Sequence, residues 1–158
     1  MYIKINMEFS LFKWTRQEII FVTCVLLSIF GVSYFQLKIS QMKTRDTQRK
    51  SDVELVSRAL NAYFEDYKIL PAASVQGEII SCGFKASEVC PWGGGPLIDA
   101  VNVTYLKVLP VDPQAYKNIK YIYSTNPERS KYKICITLEY KGDKAYKKDI
   151  QCNWYAHN

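Results

Sequence analysis

Two kinds of side chain in this sequence could do chemistry: a carboxylate beside a long apolar segment, and a set of cysteines. Glu18 directly precedes residues 19–35, a run without any charged residue. A carboxylate at the edge of a bilayer-spanning helix is costly to bury, and such residues are usually functional. The alternative is an interfacial carboxylate near a helix N-terminus, where the helix dipole favours negative charge.

The five cysteines divide between the apolar run and the rest of the chain. Cys24 lies in the run; the other positions are Cys82, Cys90, Cys135 and Cys152. An even set outside the run indicates two disulfides and an oxidising, extracytoplasmic compartment. Three pairings are open, and we prefer the local one, Cys82 with Cys90 and Cys135 with Cys152. A zinc site is the rival interpretation, but the sequence has no C-x-x-C and its one histidine is His157.

Catalytic motifs are missing from the sequence, which predicts that the protein is not an enzyme. There is no H-E-x-x-H or G-x-S-x-G motif, and Gly93-Gly94-Gly95 lacks the Lys-Ser/Thr of a phosphate-binding loop. The acidic residues of the C-terminal half look scattered and lack calcium-loop spacing. These acids are Asp112, Glu128, Glu139 and Asp143.

The elements that position these residues begin with one long helix. The apolar run, with its flanks, is long enough to cross a bilayer, which takes about 20 residues. No helix breaker follows it, and apolar residues then recur at steps of three and four, which predicts a continuing amphipathic helix. This apolar stripe comprises Val53, Val56, Leu60, Tyr63, Tyr67 and Leu70, and we expect the first five of these residues to form core against the sheet. We therefore expect a leader-like segment at 1–13, a transmembrane helix at 14–37, its amphipathic continuation at 38–70, and a C-terminal region at 71–158. The helix itself is expected to run from about Trp14 to Tyr67, with Pro71 marking the stop.

The C-terminal region reads as a loop followed by a small antiparallel sheet. Residues 71–104 are rich in Gly and Pro and predict a loop, and residues 102–109 suggest a short helical turn. Alternation of apolar and polar residues predicts strands near 121–123, 132–139 and 150–154. The predicted fold class is α+β, with a long N-terminal helix packed on a small antiparallel sheet. In a regular hairpin Cys135 would face away from Cys152, so our preferred pairing requires a bulge or a register shift.

The chain is basic, with 21 Lys and Arg against 15 Asp and Glu and a net charge of +6. Five of the basic residues lie in the polar segment 36–52 directly after the apolar run: Lys38, Lys43, Arg45, Arg49 and Lys50. They could contact lipid headgroups, partner helices or DNA, and we do not favour nucleic acid on a basic segment alone. Only Lys4, Lys13 and Arg16 precede the run. The positive-inside rule therefore favours a cytoplasmic C-terminal side, whereas the cysteines favour an extracytoplasmic one.

Several segments resemble type IV pilins and the major pseudopilins of type II secretion. The chain has Glu18 four residues after Trp14, the helix segment 45–63, and Tyr105-Leu106-Lys107-Val108-Leu109-Pro110-Val111-Asp112-Pro113, similar to the family element Y-L-x-x-L-P-x-D-P. The resemblance implies a pilin-like fold and leader cleavage between Lys13 and Trp14, followed by methylation of the new amine. The family has Gly before the cut and Phe or Met after it, so an uncleaved relative stays an alternative.

The same resemblance implies assembly into a homo-oligomeric helical filament from the inner (cytoplasmic) membrane, with a single pass and an extracytoplasmic C-terminal domain. Glu18 would pair with the N-terminal amine of a neighbouring subunit. The implied partners are a prepilin peptidase, an assembly ATPase and a platform protein. Calcium is allowed by the resemblance, but no ligands can be assigned and we expect no cofactor. The alternatives are a DNA-uptake pilin and an uncleaved, signal-anchored binding domain.

Overall fold

The computed structural model describes residues 15–82, 87–148 and 152–157. By internal packing the chain divides into two units, one ending at Ile39 and one beginning at Ser40. A single helix, α1 (Arg16–Tyr67, 52 residues), contributes to both. The leader-like segment and the cleavage pair Lys13 and Trp14 lie outside the described residues.

The first unit consists, in its described part, of the N-terminal portion of α1. Most of its apolar side chains are exposed, with both Phe21 and Phe30 at 70%. This is the one helix of the described residues that is long and apolar enough to cross a membrane. The predicted α+β layout with an apolar N-terminal helix is therefore present.

In the second unit α1 ends where the sequence predicts, and a left-handed residue closes it. Lys68 has φ 56° and donates its backbone N–H to the carbonyl of Phe64 at 2.7 Å. This is the usual way for a helix to satisfy its last carbonyls. Leu70 then continues into the core, while Tyr67 is 39% exposed. The prediction of Tyr67 as a core residue is wrong, because the helix ends there and its ring lies at the margin of the packed face.

Eight short strands form three antiparallel sheets in the described residues. The first sheet contains β1 (Ala72–Ala73), β2 (Ile79–Cys82) and β3 (Glu88–Cys90), in that order. The second pairs β4 (Leu97–Ile98) with β5 (Thr104–Leu106). The third contains β6 (Ile122–Thr125), β7 (Tyr132–Ile136) and β8 (Trp154–His157), and a 3-10 helix, Ala115–Lys117, precedes it.

The region 71–104 is not only a loop, since it holds β1 to β4, and 102–109 is not a helical turn. Asp99 is the reason for the second correction. Its carboxylate accepts the backbone N–H groups of Val101 at 2.9 Å and Val103 at 2.8 Å. An aspartate side chain that accepts hydrogen bonds from backbone N–H groups shortly after it in sequence favours a turn over a helix. This turn joins β4 to β5 as a hairpin.

The strand β8 begins at Trp154, the last residue of the strand predicted at 150–154; positions 150 and 151 of that prediction lie outside the described residues. At Asn153 the side chain, and not the backbone, bonds to the neighbouring segment. Its Oδ1 accepts the backbone N–H of Leu138 at 2.7 Å, and its Nδ2 donates to the carbonyl of Leu138 at 2.9 Å. Cys152 precedes β8 and is therefore free of the strand alternation. This removes the difficulty for its bond to Cys135, and the structure pairs Cys82 with Cys90 and Cys135 with Cys152.

The core of the second unit lies between α1 and the sheets. The helix supplies Val53, Val56, Ala59, Leu60 and Tyr63. The sheets and loops supply Leu70, Ile79, Cys82, Cys90, Leu97, Leu109, Tyr121, Tyr123, Tyr132, Ile134, Ile136 and Leu138. Two disulfides supplement this core, as is common for small domains outside the cytoplasm.

Candidate functional site

The buried face of α1 carries an ion cluster before its apolar stripe begins. Asp46 and Arg49 are both nearly inaccessible, at 2% and 0% exposed. They precede Val53 and Val56 at the same alternating steps of three and four residues, so they lie on the same side of the helix. A charged pair thus occupies positions that the helical period assigns to the core.

Arg49 is the centre of this cluster. Its Nε and Nη2 donate to the two oxygens of Asp112 at 2.7 and 3.0 Å, a bidentate arrangement. Its Nη1 donates to Asp46 Oδ1 at 2.8 Å and to Glu139 Oε1 at 2.6 Å. Burial alone lowers the pKa of Arg49, but these carboxylates outweigh it and the pKa lies above its ordinary value. The guanidinium therefore stays charged and offers no acid–base chemistry.

The carboxylates around Arg49 are also satisfied by other groups. Asp46 accepts the backbone N–H groups of Glu139 at 2.9 Å and Tyr140 at 2.8 Å. Asp112 accepts the N–H of Gln114 at 2.7 Å. Buried charges are tolerated when they are paired and hydrogen-bonded in this way. The cluster joins three separate segments of the chain: α1, the loop after Leu109, and the segment after β7.

Two further basic residues of α1 extend the ion cluster toward solvent. Arg45 donates to Glu139 Oε1 at 2.8 Å and Oε2 at 2.6 Å, and Lys50 donates to Asp143 Oδ2 at 2.6 Å. Lys43 lies over the ring of Tyr140, 4.7 Å from its centroid. Three of the acids that look scattered in sequence, Asp112, Glu139 and Asp143, are thus gathered at the basic residues of α1. The fourth, Glu128, instead accepts a hydrogen bond from Asn126 Nδ2 at 2.6 Å. The basic segment largely serves contacts within the chain.

Asp112 gives the Leu-Pro-Val-Asp-Pro element a structural role. Leu109 is fully buried, and its backbone N–H donates to the carbonyl of Gly95 at 2.8 Å. On the other side of Pro110, Asp112 turns inward to Arg49. The element therefore fixes the central loop to both the core and the helix. Sequence reasoning missed the cluster, although the i, i+3 spacing of Asp46 and Arg49 in phase with the stripe was a signal.

Glu18 lies at the first turn of α1. Its Oε2 accepts the backbone N–H of Thr15 at 2.7 Å, and Thr15 Oγ1 accepts the N–H of Glu18 at 3.4 Å. This reciprocal pattern is a capping box, in which side chains satisfy N–H groups at the start of a helix. The first turn thus has an acceptor for its free N–H groups, and Glu18 has a partner within its own chain.

The described residues were also compared with the ligand sets that metal ions require. Within 15–82, 87–148 and 152–157, no three His, Cys, Asp or Glu side chains are arranged to hold a metal ion. All the cysteines of those ranges are in disulfides except Cys24, which is exposed.

No protein-family model, curated protein or solved structure matches the chain.

Proposed function

We propose that the protein is a structural subunit of a type IV pilus or of a type II secretion pseudopilus. The observation that carries the proposal is α1, a single helix that is apolar and exposed in its first part and packed on a small disulfide-linked domain in its second. Exposed apolar surface on this scale calls for lipid or for other helices. A subunit that waits in the membrane and is then transferred to a helical filament uses both environments.

In this role the ion cluster keeps the helix and the sheet domain in one arrangement. A subunit that is pulled out of the membrane by its helix transmits force to its C-terminal domain through their mutual contacts. Arg49 and its carboxylates supply charge-assisted hydrogen bonds across that junction. The disulfides support an extracytoplasmic C-terminal domain, since such bonds persist in oxidising compartments. Prepilin peptidase, an assembly ATPase and a platform protein are the partners that the proposal requires.

One finding favours a second candidate, the uncleaved signal-anchored domain. The capping box accounts for Glu18 without a neighbouring subunit. Under this candidate the protein stays in the inner membrane, and its extracytoplasmic domain binds a ligand of unknown class. The two candidates differ in the start of the mature chain and in whether the negative charge of Glu18 is needed.

The first experiment is intact mass and N-terminal sequencing of the protein from its native membrane. A chain that starts at Trp14 with a methylated amine is expected for a filament subunit. A chain that retains residues 1–13 would contradict leader processing and favour the anchored domain.

The second experiment separates the charge of Glu18 from its capping role. Glu18→Gln removes the charge but keeps a side chain that serves in a capping box, whereas Thr15→Ala removes half of the cap and keeps the charge. Assembly is measured in the native membrane by oxidative cross-linking through Cys24, with Cys24→Ser as the blank. We expect Glu18→Gln to abolish the cross-linked dimer and Thr15→Ala to retain it, since the one free thiol of each chain can link only two chains. A dimer that survives Glu18→Gln would show that Glu18 only caps the helix.

A further inference from the structure

The third sheet has an outer face that turns away from the core. Ile122, Cys135 and Tyr155 lie opposite one another across β6, β7 and β8, and Lys133 lies opposite His157 in the next row. Side chains directly opposite each other in a sheet share a face. The neighbouring residues Ile134 and Ile136 point to the other side and are buried. The outer face therefore combines aromatic and basic side chains.

Tyr155 gathers two lysines on this face. Lys133 Nζ lies 4.2 Å from the centroid of the Tyr155 ring, and Lys147 Nζ lies 5.1 Å from it. Cation–π attraction holds an ammonium group near an aromatic ring. The His157 ring is 5.7 Å from the Tyr155 ring. Two positive charges and two exposed rings are thus concentrated at the end of the chain.

A shallow cavity of about 290 Å³ extends the same face toward β6. Ile122 and Cys135 line it, and these are the row neighbours of Tyr155. Lys117 and Lys120 line it as well, and no carboxylate is among its lining residues in the described part of the chain. Lys117, Lys120 and Lys133 form no ion pair with any residue that the structure describes.

The positive charge of the protein is therefore used differently in its two basic regions. On α1, Arg45, Arg49 and Lys50 bind carboxylates of the same chain. On the outer face of the third sheet, Lys117, Lys120 and Lys133 are in no ion pair with a carboxylate of the described part of the chain. Lysine ammonium groups bind phosphate as point charges, and exposed aromatic rings stack on unpaired bases.

We propose that this outer face, defined by Lys117, Lys120, Lys133, Lys147 and Tyr155, binds single-stranded nucleic acid. The lysines contact phosphates, and the Tyr155 ring takes a base. This surface is distinct from the helix cations that sequence reasoning considered for DNA. The binding needs one subunit only, so it does not rest on the filament proposal.

The test uses the full-length chain in detergent and fluorescently labelled strands of twenty deoxythymidines or twenty uridines. Fluorescence anisotropy is measured from 50 to 200 mM salt. We expect binding that weakens as salt rises, because phosphate contacts release counterions. The double variant Lys133→Gln/Lys147→Gln should reduce the slope of log K against log salt by about 1.4, at about 0.7 per contact. Tyr155→Ala should weaken binding about fivefold or more, since it removes a stacking ring.

A matched control removes the same charge elsewhere, at the exposed Lys38 and Lys107. Lys38→Gln/Lys107→Gln should leave the slope unchanged. Equal losses in both double variants, or no binding at 50 mM salt, would overturn the proposal. Unchanged affinity in Tyr155→Ala, or equal binding of heparin, would show a general polyanion surface and would also overturn it. The two strands tell whether DNA or RNA is preferred, and thermal unfolding checks that each variant is folded.

Discussion

The two portions of α1 reverse the usual relation between residue type and burial. In the first, side chains such as Phe21 and Phe30 are 70% exposed. In the second, an arginine is completely buried. The apolar side chains lack protein neighbours in the single chain, whereas Arg49 meets carboxylates from α1, from the central loop and from the segment after β7. Burial here depends on which partners the tertiary structure brings to a side chain, and not on residue type alone.

The largest effect is expected from neutralising the buried arginine, which tests whether its carboxylate partners are what make its burial favourable. Arg49→Met keeps an unbranched apolar stem but leaves Asp46 and Asp112 buried without their counter-charge. Removing one partner of a buried ion pair costs about 3–5 kcal/mol. We expect a loss of that order in the free energy of unfolding, measured by urea titration of the full-length protein in detergent with tryptophan fluorescence.

The control for this change is Arg58→Met, at an exposed position of the same helix. It should alter the free energy of unfolding by less than about 0.5 kcal/mol, as surface substitutions usually do. A loss at Arg49 no larger than that at Arg58 would show that the ion cluster contributes nothing to the stability of the second unit.

A pair of identical substitutions compares the two portions of the helix directly. Leu60→Ala removes a fully buried side chain and should cost about 2–5 kcal/mol of unfolding free energy. Leu27→Ala removes one that is 66% exposed, so the same urea titration should show no change. Its effect should appear instead in association of the helices, measured by Cys24 cross-linking. Equal losses of stability in both variants would mean that the first portion of α1 packs on the folded domain.

The smallest expected effect is a pH dependence of the unfolding free energy, caused by the carboxylates of the ion cluster and its extension to Lys50. Burial alone raises the pKa of Glu139, but hydrogen bonds from Arg45 and Arg49 outweigh it, so the pKa lies below its ordinary value of 4.5. The hydrogen bond from Lys50 likewise lowers the pKa of Asp143 from 3.8. Carboxyl groups with lowered pKa contribute stability above their unfolded values and lose it as the pH falls through the folded ones.

The unfolding free energy should therefore fall as the solution is acidified below about pH 4.5. Glu139→Gln should lessen this acid loss, because the variant no longer takes up a proton there. Glu65→Gln, at an exposed position of α1, serves as the control and should keep the acid loss of the unchanged protein. The same acid slope in both variants would contradict a role for Glu139. Urea titrations at a series of pH values from 7 to 3 measure both.

Part of the site was accessible from sequence and part was not. The period of Val53, Val56 and Leu60 identified the buried side of α1, and extending that period back to Arg49 and Asp46 would have placed them there. Nothing local shows that Asp112 and Glu139 meet Arg49, since these residues lie 63 and 90 positions away in sequence. Long-range pairings of this kind depend on how the loops cross the helix.

The sequence by itself determined the long helix, its end near Tyr67 and the apolar, membrane-compatible first portion, because each follows from short-range periodicity and composition. Only the tertiary structure decided which charges are buried, where the last strand begins and how the cysteines pair. Those features depend on competition between distant partners. The side chain of Asn153 binds the backbone of Leu138 next to the start of β8, and Cys152, outside the strand, bonds to Cys135. Local patterns encode the period of an element, whereas contacts across the fold choose its neighbours.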